Sequence, residues 1–406
     1  MSRVIPLVPA RSPRSGHSPA DQPAALEFTA PPPLALYIHF PWCVRKCPYC
    51  DFNSHTVRDG IPEDAYLTAL VADLEASLPD IWGRRIHSIF FGGGTPSLMS
   101  PAGLDHLLTA VRARVNLSPG AEITLEANPG TVEAERFAGF RDAGVNRLSI
   151  GVQSFDDHHL AALGRIHDAT EAQRAVELAQ RTFERVNIDL MYALPQQTMR
   201  EALRDLDTAL ATGVTHLSCY HLTLEPNTPF AAHPPELPDD DASADMQEAI
   251  EARLADAGFV HYETSAFAQP GQQCLHNLNY WQFGDYLGIG AGAHGKLSFH
   301  DRVRRDMRHK HPNAYLEAAA QGRFVQESRE VGAAELPFEF MMNAARLNDG
   351  FHIELFERHT SLPIDRLMPK LLEAREDGLL ELDSGHIRPT LRGRRFLNEL
   401  LQRFLD

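Results

Sequence analysis

Cysteine is scarce in this chain: there are five in 406 residues, and three of them, Cys43, Cys47 and Cys50, fall within eight positions. So few thiols cannot staple a chain of this length. Their clustering reads as metal binding in a reducing compartment rather than as disulfides. Long apolar runs are missing as well. No stretch approaches the roughly 18 to 20 apolar residues that a bilayer-crossing helix needs, and the N-terminus lacks the apolar segment and small-residue cleavage site of a secretory signal. A basic excess is absent too. With 38 Lys and Arg against 54 Asp and Glu, the formal net charge is -16, which argues against broad phosphate neutralisation and therefore against a nucleic-acid partner. The expectation is a cytoplasmic globular protein that handles small molecules or other proteins.

A 43% hydrophobic composition over 406 residues is enough for a large core in two or three domains. Residues 1–33 hold eight prolines and no apolar periodicity, which predicts a disordered Pro-rich tail. Arg3, Arg11 and Arg14 precede the first acidic residue, Asp21, as in a mitochondrial transit peptide, but the prolines would break the amphipathic helix such a peptide requires.

From Leu34 onward, strand and helix patterns alternate. Strands are predicted over residues 34–40, 86–91, 122–127, 147–152, 186–191 and 216–220, and helices over 63–78, 102–115, 131–142, near 157–181, 198–211 and 243–257. Strands each followed by a helix imply a parallel sheet with right-handed crossovers. Six units are fewer than the eight of a full barrel. The fold class is therefore α/β, an open partial (βα)6 barrel over residues 34–265, with chemistry at the C-terminal ends of its strands. The loop 233–242, HPPELPDDDA, reads as a solvated insertion, and a further strand is predicted over 260–264. Residues 266–330, rich in Gly and aromatics, are expected to close the barrel, and residues 331–406 to form a mainly helical, winged-helix-like domain. That domain would end in a helix over 364–376, a hairpin at Ser384-Gly385 and a helix over 390–404. Its Arg388, Arg392, Arg394 and Arg395 read as a solvated face.

The cysteines have C-x3-C-x2-C spacing and follow the first strand. Three thiolates fall one short of a closed structural zinc site or a four-cysteine iron-sulfur cluster. His39, Asp51 or His55 could complete a zinc site. Their position, on the catalytic rim of a βα barrel beside Gly-rich and carboxylate positions, favours a cofactor site over a zinc knuckle.

YIHFPWCVRKCPYCDF, residues 37–52, resembles the signature of the radical S-adenosylmethionine (SAM) superfamily, including the aromatic Tyr49 before the third cysteine. The resemblance implies that Cys43, Cys47 and Cys50 hold three irons of a 4Fe-4S cluster and that SAM chelates the fourth. It implies an electron donor such as flavodoxin and, in the radical enzymes, a 5'-deoxyadenosyl radical. It also implies SAM contacts at Tyr37, at Gly93, Gly94 and Thr95 in FGGGTP, and at Glu126, Gln153, Arg165 and Asp189. These residue types suit such a ligand, because glycine lets backbone approach an ammonium closely, a carboxylate suits an amine or a ribose diol, and arginine forks onto a carboxylate.

Within the superfamily, most of residues 34–400 resemble the anaerobic coproporphyrinogen III oxidase group, and two features separate its branches. The oxidase branch continues its motif with a further cysteine where this chain has Phe52, and His276 to Gly295, HNLNYWQFGDYLGIGAGAHG, resembles the HNxxYW segment of the heme-chaperone branch. That resemblance implies heme contacts at His276, Tyr280 and Trp281: imidazole ligates heme iron, and aromatic rings offer flat apolar surface. The plainer alternative is a hydrogen-bonded loop histidine with aromatics that fill the open barrel. Two functions follow. One is a chaperone that binds heme and delivers it to an acceptor protein, which could be membrane-associated. The other is an oxidase that converts two propionates of coproporphyrinogen III to vinyl groups. Phe52, HNLNYW and a tail where the oxidase has a structured extension favour the chaperone. A zinc-stabilised barrel without radical chemistry is the third reading.

Overall fold

The computed structural model describes residues 26–58, 60–130 and 134–405. Most of the expected N-terminal tail and the start of the helix predicted over 131–142 lie outside the described residues. The described part of that helix is Phe137–Ala143.

β1 (Leu34–Phe40) runs into the cysteine loop, across which two short strands, β2 (Trp42–Cys43) and β3 (His55–Thr56), pair in parallel. β4 (Arg85–Gly93), β5 (Asn116–Ala127), β6 (Arg147–Gln153), β7 (Arg185–Tyr192) and β8 (His216–His221) follow, each pairing parallel with its predecessor in the order β1-β4-β5-β6-β7-β8. One face of each strand supplies the core. Leu34, Leu36, Ile38 and Phe40 join Leu67, Leu70 and Leu74 of the helix Glu63–Ser77 in one apolar cluster. β5 begins six residues before its predicted start, because Asn116 and Leu117 already pair with Arg85 and Ile86 before a register shift. Ser118-Pro119-Gly120 breaks the alternation there and hides that pairing from a periodicity reading.

The segment expected to close the barrel extends the sheet at both flanks. β8 pairs antiparallel with β10 (Ala266–Ala268), and β10 with β9 (Val260–Glu263). On the opposite flank β1 pairs parallel with β11 (Asp285–Ile289), which leads through β12 (His294–Ser298) and β13 (Val303–Arg308) to β14 (Val325–Val331), all antiparallel. The result is one open twelve-stranded sheet in which β8 and β1 do not pair. A buried charge cluster ties down its β11–β12 arm: Asp285 accepts from Lys296 Nζ (2.9 Å), Arg84 Nη1 (2.8 Å) and Ser298 N (2.8 Å).

The acidic run at 239–241 belongs to a helix rather than to a loop. Asp239 caps the helix Asp240–Asp256 by accepting from Ala242 N at 2.8 Å, and Asp240 and Asp241 lie in its first turn, where the helix dipole favours negative charge.

A second core, around Phe340, Phe351, Phe356, Leu371, Ile387 and Leu400, builds the C-terminal domain with a small sheet of β15 (Phe351–His352), β16 (Leu380–Asp383) and β17 (His386–Pro389). Its last helical stretch breaks at Phe396 into Leu391–Arg395 and Leu397–Gln402. The arginines there are largely engaged: Arg395 forks onto Glu251 of the barrel (2.8 and 2.9 Å) and Arg388 pairs with Glu381. Leu26 and Phe28, inside the segment expected to be tail, pack into this core, and Phe28 N donates to His300 O at 2.8 Å. Two apolar residues among the prolines are enough to pin the chain. Among the described residues no helix is long and apolar enough to cross a membrane.

Candidate functional site

Side chains alternate along a strand, so the face opposite the apolar core points into the barrel. There the sequence places polar residues: Ser88 on β4, Glu122, Thr124 and Glu126 on β5, Arg147 and Ser149 on β6, Arg185, Asn187 and Asp189 on β7, and His216 and Ser218 on β8. They bond across the strands. Asn187 donates to Ser149 Oγ (2.7 Å) and Asp189 Oδ1 (2.8 Å) and meets His216 Nδ1 at 2.6 Å, and Arg185 pairs with Glu122 at 2.8 Å. The interior is a polar network capped toward the strand C-termini by carboxylates.

The cysteine loop sits at that end. All five cysteines are free thiols, and Cys43, Cys47 and Cys50 are half-buried. Burial raises the thiols of Cys43 and Cys50. Each sulfur has a polar neighbour: Thr95 Oγ1 donates to Cys43 Sγ (3.5 Å), Arg165 Nη1 donates to Cys47 Sγ (3.6 Å), and Ser54 Oγ lies 3.8 Å from Cys50 Sγ. The three cysteine sulfurs do not all lie within 4.8 Å of one another; among the described residues only Asp156, His158 and His159 bring three such ligand atoms that close.

The remaining sequence-chosen residues converge on the same mouth. Gly93 has φ +113°, and a Cβ there would overlap the His39 ring, while one on Gly94 would overlap the Trp42 carbonyl. The backbone N–H of Gly93 donates to Glu126. Burial, and then the charge of Asp189, push Glu126 up to about 8. Burial likewise raises Asp189, against bonds from Asn187, Ser218 and Ser149. Gln153 ends β6 in a left-handed conformation (φ +69°) at a break in register, the kind of local strain that marks functional sites. Arg165 donates to Asn128 Oδ1 (2.7 Å) and Gly151 O (2.6 Å). Two partners escaped the sequence. Asn128 also donates to Thr95 Oγ1 at 2.9 Å, and thus links the glycine loop to Arg165, but in ANPG it reads only as a turn residue. Asn53, just past the last cysteine, donates to Ala291 O (3.0 Å) and Lys310 O (2.9 Å).

An open cavity of about 440 Å³ lies here, lined by half-buried Tyr37, Gly93, Glu126, Tyr280 and Tyr286 and by exposed Phe52 and His294. The HNLNYW segment forms the helix Leu275–Trp281, which packs against β1, β4 and β11, and the structure separates the three residues expected to act together. Tyr280 lines the cavity. His276 is 1% exposed, stacked on Phe90 and bonded through Nδ1 to Ser88 Oγ at 3.0 Å, and burial pulls its imidazole down to about 3. Trp281 faces the C-terminal domain, with the Arg346 guanidinium 5.2 Å from its ring. Helical spacing accounts for the split: positions 276 and 280 lie one turn apart on the inward face, and 281 turns away.

Residues 37–209 match the radical SAM superfamily and residues 332–396 the HemN C-terminal domain. The chain is similar to the heme chaperone HemW of Escherichia coli, 50% identical over 379 residues that cover 92% of this chain and 98% of that protein. The chain belongs to the HemW family. Another relative, the mitochondrial radical S-adenosyl methionine domain-containing protein 1 of Bos taurus, is 37% identical over 96% of this chain and 91% of its own length. The solved structure of HemN, the coproporphyrinogen III oxidase of Escherichia coli and a radical SAM enzyme, superposes with a TM-score of 0.78 over 92% of this chain and 90% of that one, at 24% identity, so it shares the fold.

For a HemW-family chain, the residues present suit a 4Fe-4S cluster with SAM. Three half-buried thiols, each beside a polar group and with Arg165 on Cys47, stand near an open cavity lined by the Gly93 backbone and the Glu126 carboxylate.

Proposed function

We propose that this protein is a heme chaperone, which binds heme as cargo and hands it to an acceptor protein. In this reading Cys43, Cys47 and Cys50 hold a 4Fe-4S cluster, and Tyr37, Gly93, Gly94, Thr95, Glu126, Gln153, Arg165 and Asp189 hold SAM against it. Bound together, cluster and SAM supply a one-electron route to breaking a carbon-sulfur bond. The chain's own part is positional. Gly93 and Gly94 leave room for the methionyl amine, Glu126 offers it a carboxylate, Arg165 keeps the Cys47 side of the loop in place, and Asp189 offers acceptors to a ribose. The partners are heme, an acceptor that could be membrane-associated, and an electron donor of the flavodoxin kind, and the compartment is the cytoplasm.

The observation that most supports the reading is the 50% identity, along nearly the full length of both chains, to a protein named a heme chaperone. Phe52 in place of the oxidase's extra cysteine agrees with it. The test is a paired assay on one anaerobically reconstituted sample. The protein should bind about one heme per chain and leave coproporphyrinogen III unchanged with SAM and a reductant. Sustained appearance of vinyl product would replace the chaperone with the oxidase.

A further inference from the structure

Ligation of heme iron by histidine needs a ring nitrogen with a free lone pair, facing a space that a porphyrin can reach. The histidines around the cavity differ sharply on this point. His39 is tied at both nitrogens, to Tyr37 Oη (3.0 Å) and to Asn53 O (2.9 Å). His55, which meets Asn53 Oδ1 at 3.3 Å, and His311, whose Nδ1 accepts from Asn313 N at 3.2 Å, do not line the cavity. His276 has a free Nε2, but that atom is buried in the barrel interior. His294 differs from all of these. It opens β12, lines the cavity, is exposed to solvent, and its ring makes no hydrogen bond among the described residues.

Its surroundings suit the rest of a heme. Tyr280 and Tyr286 meet edge to face (4.5 Å between ring centres) on the same wall, and Phe52, 60% exposed, stands at the mouth. Exposed Lys310 places a positive charge near the imidazole that a propionate could meet, while Arg305 is held by Glu339 and the Tyr286 hydroxyl and Glu327 brings a carboxylate from β14. Partial burial and then these cations lower the histidine's pKa, which leaves the lone pair available.

We propose that His294, not His276, is the residue that ligates heme iron in this protein. The inference rests on the heme-chaperone reading and names the ligand within it. Heme would then lie across the outer half of the cavity, with its iron held from the β12 side and the helix Leu275–Trp281 contributing Tyr280 as wall rather than a ligand.

The experiment compares the reconstituted full chain with His294→Ala and His294→Cys, each titrated with heme and followed by visible absorption and electron paramagnetic resonance. Wild type should show a histidine-ligated spectrum. His294→Ala should lose it, with affinity weakened about tenfold or more, and free imidazole should restore it. His294→Cys should move the ferric spectrum to the thiolate type, a gain of signal that His294→Ala, with the same five other cysteines, should lack. A wild-type histidine spectrum that persists in both variants would overturn the assignment and leave the chaperone reading standing. No heme binding by wild type would remove the chaperone reading itself.

Discussion

The side-chain amide of Asn53 lies directly beneath Gly292, so close that a Cβ on the glycine would overlap it. From there it donates to the carbonyls of Ala291 and Lys310, which ties the cysteine loop to the turn that carries His294. Gly292 has φ +80°, so alanine there would be strained by its backbone as well as by the contact. Asn53→Ala leaves two carbonyls without these partners, a cost of about 1–3 kcal/mol. The expected outcome for Asn53→Ala and Gly292→Ala is a lower melting temperature and at least a halving of iron per chain after reconstitution. Full iron content in both would mean that the loop holds its shape without this tie.

Glu126 gives the cofactor-free chain a defined pH response. Its folded pKa of about 8 lies above its ordinary value of 4.5, so between those values the folded chain keeps a proton that the unfolded chain has released. The unfolded state binds fewer protons, and stability therefore falls as pH rises through that window. Asp189, also raised, acts with the same sign. Urea midpoints measured from pH 5 to 8.5 should decline in wild type and decline less in Glu126→Gln. Parallel curves would show that Glu126 ionises normally.

Arg165 reaches Asn128, Gly151 and Cys47 with one planar fork. Lysine carries the same charge on a compact head that cannot span those three acceptors. Arg165→Lys should weaken SAM binding about tenfold, equivalent to about 1.4 kcal/mol, by equilibrium dialysis on the reconstituted protein. Unchanged affinity would reduce the role of Arg165 to charge alone.

Phe28 is 5% exposed in the C-terminal core. Truncating a buried phenylalanine costs about 3–5 kcal/mol. Phe28→Ala should lower the denaturant midpoint of that domain and speed proteolysis near residue 28. An unshifted midpoint would show that the segment adds nothing to the domain.

The first half of the fold was legible because each strand has an apolar outward face and each helix a 3- to 4-residue repeat, as in β1 and the helix Glu63–Ser77. The second half was not. β13 reads VRRDMR and β14 VQESREV, and so many charges look like surface loop until Arg304 finds Asp80 and Arg305 finds Glu339 far along the chain. In the site, motif spacing exposed the cysteines and glycines. Asn53 and Asn128 stayed hidden because their value lies in long-range bonds, and His294 because HNLNYW offered a more conspicuous histidine.

β14 ends the twelve-stranded sheet, and six of its seven residues are exposed. Such a border is an open row of amide donors and acceptors, the usual starting point for strand-by-strand accretion between copies. Here Glu327, Arg329 and Glu330 give it mixed charge, and β13 supplies its partner from one side only. The long sheet that frames the cavity thus carries its own deterrent against polymerisation, at the border furthest in sheet order from β9.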